Sequence, residues 1–287
     1  MGSGFQHNED ISSIELDRRV FRRKQTLRSG LISFISFAVF AFVIWYVLAH
    51  SEGWALVQKT YFNPEMFIES LPKVWHGLLL NIRILGFAVI GVGSIATLLA
   101  IVRTTRSPVL FPLRVAATAY TSIFRGLPLI IVLYTIGFGI PALGLFGRIP
   151  AEVLGAVSIT LVYSAYVSEV IRAGIEAVHP SQRMAARSLG FSHARTMRTI
   201  ILPQAIRKVI PALMNDFVAM QKDVGLVSIL GAVDAVREAQ KVNAITFNYT
   251  PYVTAGALFI LMSFPFIMLT DYYSRKMRAR EQNEGTV

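Results

Sequence analysis

Four ionisable residues, Arg125, Glu169, Lys222 and Asp223, lie inside stretches that are otherwise apolar enough to cross a bilayer. Charge at that depth is costly, and it is kept where it lines a water-filled path, pairs with a neighbour or meets a ligand. Lys222 and Asp223 are adjacent, so on a helix they project about 100° apart and need not pair with each other. Each can reach a neighbouring helix or a zwitterionic solute in transit. Glu169 and Arg172 stand near the cytoplasmic end of their stretch and can equally fix that helix against the segment that follows. Arg125, beside Gly126 and Pro128, can cap a helix break or anchor among headgroups, and Arg83 is expected to snorkel to the outer interface.

Other chemistry is excluded by what the chain lacks. There is no Gly-x-x-x-x-Gly-Lys-Ser/Thr phosphate loop, so nucleotide is not bound in that manner. With no cysteine, disulfides and thiolate chemistry are ruled out. The five histidines (7, 50, 76, 179 and 193) are scattered, and none joins acidic residues at metal-ligand spacing. No Ser/His/Asp arrangement is placed to act together, so catalysis by this chain alone is not expected.

The elements that must position those charges are transmembrane helices. Of the 287 residues 54% are hydrophobic and 16% charged, with a mean hydropathy of +0.53; soluble domains carry about 25% charge. Six segments approach the ~20 apolar residues of a spanning helix. They are Leu31 to Ala49, Leu78 to Val102, a third between Leu113 and Leu145, Val153 to Val170, Val209 to Leu230, and Tyr252 to Thr270. The third is interrupted at Arg125, Gly126 and Pro128, and reads either as an interfacial helix followed by a span or as one long broken helix. The first is too long, and too far from the start of the chain, for a signal-peptide core, so it reads as a retained span.

The net charge of +11 invites a nucleic-acid reading, but the cations lie between apolar stretches and not on one soluble face. Cytoplasmic connections retain Lys and Arg. With the N-terminus inside, twenty such residues fall on the cytoplasmic side, Arg18, Arg103, Arg183 and Arg275 among them. Five fall outside: Lys59, Lys73, Arg148, Arg237 and Lys241. Both termini are therefore expected in the cytoplasm. The organisation that follows is a basic tail (1–30), an N-terminal span (31–50), an extracytoplasmic loop (51–76), a core (77–274) and a second basic tail (275–287).

The long cytoplasmic connection 172–208 is the most patterned part of the chain. Pro180 to Gly190 reads as a short helix with Ser181 as N-cap and Gly190 as a left-handed C-terminal cap. A second helix is expected from Ser192 through Ile200-Ile201-Leu202 to a break near Pro203. Ala185, Ala186 and Gly190 are small at helical spacing, so another protein's surface can approach; the plainer alternative is a re-entry loop touching lipid headgroups.

Ala185-Ala186, Gly190 and Ile200-x-Leu202-Pro203 resemble the signature cytoplasmic loop of ATP-binding-cassette (ABC) importer permeases, with Met184 where that signature opens on Glu. The resemblance runs from about Gly77 to Arg278 and is nearest the polar amino acid branch. It is carried further by Trp75-His76-Gly77-Leu78-Leu79-Leu80-Asn81, by Tyr120 to Pro128, by Ser164 to Gly174 and by Gln221-Lys222-Asp223-Val224-Gly225-Leu226. Ser122, Leu127 and Asn81 depart from its usual residues.

The resemblance implies an all-α integral membrane protein of about six spans, five core helices plus Leu31–Ala49 as an extra one, in the inner or plasma membrane of a prokaryote. It implies a coupling helix whose contacts to the ATPase include Met184, Ala185, Ala186, Ser188, Leu189, Gly190, Leu202 and Pro203. The implied partners are ABC ATPase subunits holding ATP and Mg, a second permease subunit, identical or paralogous, and an extracytoplasmic amino-acid-binding protein. No cofactor in this chain and no nucleic acid is expected, and Arg125, Glu169, Lys222 and Asp223 are the candidate pathway residues. A secondary transporter or channel without an ATPase, and a membrane scaffold, remain open from the residues alone.

Overall fold

The computed structural model describes residues 13–105 and 107–284, and within them all regular structure is helical. Helix α1 (Ser13–Ala49) carries the first expected span, and α2 (Trp54–Tyr61) follows it. Residues 1–59 form one compact unit and 60–287 another. Phe34, Phe37, Phe40 and Trp45 of α1 are exposed, the state of a helix whose solvent is lipid.

The body of the protein is built around α3 (Pro64–Thr104). It begins with Pro64 in the first turn, and the Asn63 side chain caps it by accepting from the amides of Glu65 (2.9 Å) and Met66 (3.2 Å). The stretch 51–76, expected as a loop, thus holds α2 and the first turns of α3. One face of α3 contributes Val74 and Leu78 to one apolar cluster, Ile84, Leu85, Ala88 and Val92 to a second, and Ala96 and Ala100 to a third. The alanines let α6 (Ala151–Glu176) lie close along it, with Ile159 and Ile171 filling the space between.

The ambiguous third segment is two helices, α4 (Phe111–Gly126) and α5 (Leu129–Ala142), bent by 106°. Pro128 is the cause: its ring disfavours helical geometry in the residue before it, and Leu127 is extended with ψ 132°. Tyr120 fastens α4 to α6, its hydroxyl lying 2.8 Å from the Leu161 carbonyl and 2.7 Å from Ser164 Oγ.

Past α6 come α7 (Pro180–Ser188), α8 (His193–Thr196) and α9 (Leu202–Asp223). The break expected near Pro203 is replaced by a π turn over Met197–Ile201, after which the helix continues. Pro203 has no N–H for the Thr199 carbonyl and its ring crowds that carbonyl; widening the preceding turn relieves both. Helix α9 tightens into a 3₁₀ stretch over Val224–Leu230, and α10 (Ala235–Thr246) and α11 (Thr250–Glu284) complete the chain. Among the described residues, four helical segments are long and apolar enough to cross a membrane, five if α4 and α5 count as one bent span. The expected span Val209 to Leu230 is not among them, because Asp216, Gln221, Lys222 and Asp223 lower its hydropathy and its last third is 3₁₀.

A buried polar knot closes the end of the body away from α7. Asn81, 1% exposed, donates to Asp234 Oδ2 (3.0 Å) and the Val224 carbonyl (3.3 Å), and accepts from the Ala235 amide (3.1 Å). Asp234 also caps α10 through the Arg237 amide at 2.8 Å. Burial pushes the Asp234 carboxyl up to about 6, outweighing those hydrogen bonds, which favour the carboxylate. Gly77 makes the knot possible: a Cβ there would stand 2.4 Å from the Asp234 carbonyl carbon and 2.5 Å from the Ala235 nitrogen.

Backbone atoms cannot swing aside as a side-chain tip can, so Gly77→Ala should destabilise the fold by about 1–3 kcal/mol. Gly86→Ala, where a Cβ meets nothing within 4 Å, serves as the control and should be neutral or slightly stabilising. Thermal unfolding of the two variants in detergent, followed by intrinsic fluorescence, reads the difference; equal midpoints would show that the close approach is not tight.

Candidate functional site: an exposed helix and the charges behind it

Helix α7 is short and depends on its ends. Pro180 occupies its first turn, and the N-cap is His179, not Ser181: the imidazole accepts from the Ser181 amide (3.2 Å) and meets Ser181 Oγ at 2.7 Å. Ser181 is displaced from the cap because Pro180, with φ preset for a helix, starts the first turn one residue earlier. At the other end Gly190 is left-handed (φ 78°). Its amide bonds the Arg187 carbonyl (2.9 Å) and the Phe191 amide bonds the Ala186 carbonyl (3.1 Å), the paired closure of a Schellman motif.

This geometry sorts the expected docking residues. Met184 and Leu189 are exposed, 62% and 74%, and Ala185, Ser188 and Gly190 are exposed beside them. Two large apolar side chains in water on so short a helix form a patch that a partner can cover. Ala186, expected on the same approachable face, is 1% exposed and turned inward, since it projects about 100° from Ala185. Leu202 packs against the cluster of Ile175, Met197 and Ile201, while Pro203 is exposed.

The exposed helix is bolted to α6. Arg183 donates to the Ile175 carbonyl (3.1 Å) and Lys208 to the Ala177 carbonyl (2.8 Å), so cations from α7 and α9 fill acceptors at the C-terminal end of α6. About two turns deeper, Glu169 gathers Arg103 of α3 (2.8 Å), Arg125 of α4 (3.6 Å) and Arg172 of its own helix. Arg172 also pairs with Glu176 at 2.6 Å. Arg125 therefore neither caps the α4 break nor only anchors among headgroups: its guanidinium faces Glu169, and its carbonyl accepts from the Tyr166 hydroxyl (3.1 Å). A cavity of about 520 Å³ beside this group is lined by Arg103, Arg114, Thr118, Ser122, Arg172 and Glu176.

The other two candidates part company. Asp223 accepts from the Tyr163 hydroxyl at 2.8 Å, joining α9 to α6, while Lys222 is exposed and points elsewhere. The sequence reading missed Asp216 and Gln221, whose Oδ2 and Oε1 are buried without a hydrogen-bond partner among the described residues. Asp216 precedes Asp223 by two helical turns and shares its face, a periodicity that could have revealed it.

A family model, "binding-protein-dependent transport system inner membrane component", matches residues 96–279. The arginine transport system permease protein ArtQ of Bacillus subtilis is 32% identical over 218 residues, covering 75% of this chain and 96% of that protein. A putative glutamine transport system permease protein of Rickettsia felis is 38% identical over 203 residues, covering 69% and 91%. Among solved structures, the crystal structure of an amino acid ABC transporter with histidines is 33% identical with a TM-score of 0.66, covering 75% of this chain and 98% of that one. An inward-facing MetNI methionine ABC transporter shares the fold at 18% identity and a TM-score of 0.57, with coverage of 75% and 98%.

Glu169 answers three guanidiniums, one of which, Arg103, has a side chain only 12% exposed. Glu169→Gln should therefore cost about 3 kcal/mol of stability by stranding that cation. Glu176→Gln, at a side chain 57% exposed, should cost less than about 1 kcal/mol. Melting temperatures of both variants in one detergent test this, and equal shifts would count against Glu169 as the organising charge.

Proposed function

The chain belongs to the family of binding-protein-dependent transport system inner membrane components, and on that premise we propose that it is the permease subunit of an ABC importer that moves polar or charged amino acids into the cell. The relatives named for arginine and glutamine transport support the substrate class. ATP is hydrolysed by separate subunits, and an extracytoplasmic binding protein delivers the amino acid to a pathway between this permease and a second one, identical or paralogous. Both termini are cytoplasmic, and five spans are α1, α3, the bent α4–α5 pair, α6 and α11; α9 with its 3₁₀ extension makes a sixth, too polar to face lipid on all sides and packed instead against α6 and α11.

The observation that carries the proposal is the exposed Met184–Leu189 patch on a helix held fast at both caps and pinned to α6 by Arg183 and Lys208. A docking element must be sticky outside and stiff behind, or motion of the ATPase would be lost in bending. Met184 presents a flexible apolar side chain where the family signature has a carboxylate, so docking here relies on apolar burial.

Within the membrane, Asp223 and Asp216 present carboxylates on one face of α9 beside Tyr163, a surface suited to the ammonium of an amino acid. Arg125, held in place by Glu169, offers a cation for its carboxylate, and Lys222, which points away from Asp223, lies outside that face.

Replacing Gly190 by Leu adds bulk on the docking face and forces a side chain into left-handed backbone, costing about 1–2 kcal/mol locally. In membrane vesicles of the assembled transporter, ATP-driven amino acid uptake should fall about tenfold or more, the equivalent of ~1.4 kcal/mol of lost coupling, while ATP hydrolysis persists and the chain remains inserted. Unchanged uptake would remove the docking reading. Uptake by the purified chain alone in ATP-free liposomes would replace the importer with a secondary transporter.

A further inference from the structure

On the outer half of the body, between α3 and α6, lies a groove of about 630 Å³ that the transport reading does not use. Its walls are apolar, with Ile84, Phe87 and Ile95 on α3 and Val157 and Leu161 on α6. Two charged residues line it, Arg83 and Glu152. Neither has an ion-pair or hydrogen-bond partner among the described residues, and they do not pair with each other. Arg83 is exposed, and Glu152 stands in the first turn of α6, so both lie at the end of the groove away from α7.

The dimensions are informative. From Arg83 to Ile95 the helix rises about 18 Å, close to the ~15 Å depth of one leaflet of the hydrocarbon core. The groove therefore begins at a pair of opposite charges and runs inward for one leaflet between hydrocarbon walls. A small aqueous solute could satisfy the charges but not the walls. An apolar helix of a second copy could cover the walls, but it would leave both charges without partners at the membrane edge.

The geometry points to a binding site for a single zwitterionic phospholipid of the outer leaflet. Its phosphate is held by the Arg83 guanidinium, its headgroup ammonium by the Glu152 carboxylate, and one acyl chain lies along Phe87, Val157 and Leu161. Charge complementarity selects the headgroup: an anionic lipid with no ammonium meets Arg83 equally well but gains nothing from Glu152. Bound there, the lipid fills the space between the two most extensively packed helices of the body.

Native mass spectrometry of the intact transporter, purified in detergent and supplemented with palmitoyl-oleoyl phosphatidylethanolamine or phosphatidylglycerol, tests the site. One phosphatidylethanolamine per copy of this chain should survive delipidation. Arg83→Gln should lower retention of both lipids about tenfold, as loss of one charge-assisted contact implies. Glu152→Gln should lower only phosphatidylethanolamine, leaving phosphatidylglycerol as in the parent. Thermal midpoints identify any variant that fails to fold. As an independent readout, p-benzoylphenylalanine replacing Val157 should cross-link to lipid when irradiated in native membranes. Retention insensitive to both substitutions would overturn the proposal and leave bulk lipid only. Cross-linking solely to protein would overturn it too and make the groove a subunit interface.

Discussion

The arrangement at the end of the body that carries α7 rests on one carboxylate. Glu169 lies where three helices converge, and Arg103, Arg125 and Arg172 all turn their guanidiniums toward it. Without it the cations of α3, α4 and α6 would repel one another in a medium that screens poorly, and the convergence would open. With it, the cluster keeps an excess of positive charge and still holds together, because each arginine has a fixed acceptor. The same helix carries Tyr120's partners, Leu161 and Ser164, within about two turns and the carbonyls that bind Arg183 and Lys208 at its end. Helix α6 is thus the member that joins the α7 face to the rest of the body.

The opposite end is held by hydrogen bonds gathered around a buried acid. Asn81 uses its amide group in both directions, donating to Asp234 and Val224 and accepting from Ala235. This ties α3 to the start of α10 and to the 3₁₀ end of α9, where backbone groups would otherwise face hydrocarbon unsatisfied. Irregular backbone at membrane depth is affordable only with such partners. The helix breaks fall where they are tolerated: at Leu127, before Pro128, and at Val224, against Asn81.

The sequence made legible what hydropathy and caps encode. The apolar segments around Leu31, Leu78, Val153 and Tyr252 became helices, and Gly190 took the left-handed cap that its position requires. Less legible were the features set by packing between distant segments. Ser181's own capping preference masked the signal of Pro180, which starts the first turn and passes the cap to His179. Ala185 and Ala186 are the same residue type, and only the neighbouring helices decide which is buried. Arg125 looked like a headgroup anchor because its partner, Glu169, comes from another span. Asp234, the acid on which the far knot depends, sits in a stretch with no motif, and its significance appears only when Asn81 and Gly77 are brought against it.

These contacts also define how movement at the surface must spread. Helix α7 is tied to α6 by Arg183, which holds the Ile175 carbonyl, and α9 is tied to the same end of α6 by Lys208, which holds the Ala177 carbonyl. A displacement applied at Met184 and Leu189 therefore drags the end of α6. That helix carries Glu169 and, further along, Tyr163, which is bonded to Asp223. The charge cluster and the tyrosine–aspartate contact lie on the same rigid rod, so they must respond together. The Tyr163–Asp223 bond is the weaker of the two links, a single hydrogen bond against several ion pairs. Strain that enters α6 from α7 meets the arginine cluster first and the tyrosine–aspartate contact next, at the acidic face of α9.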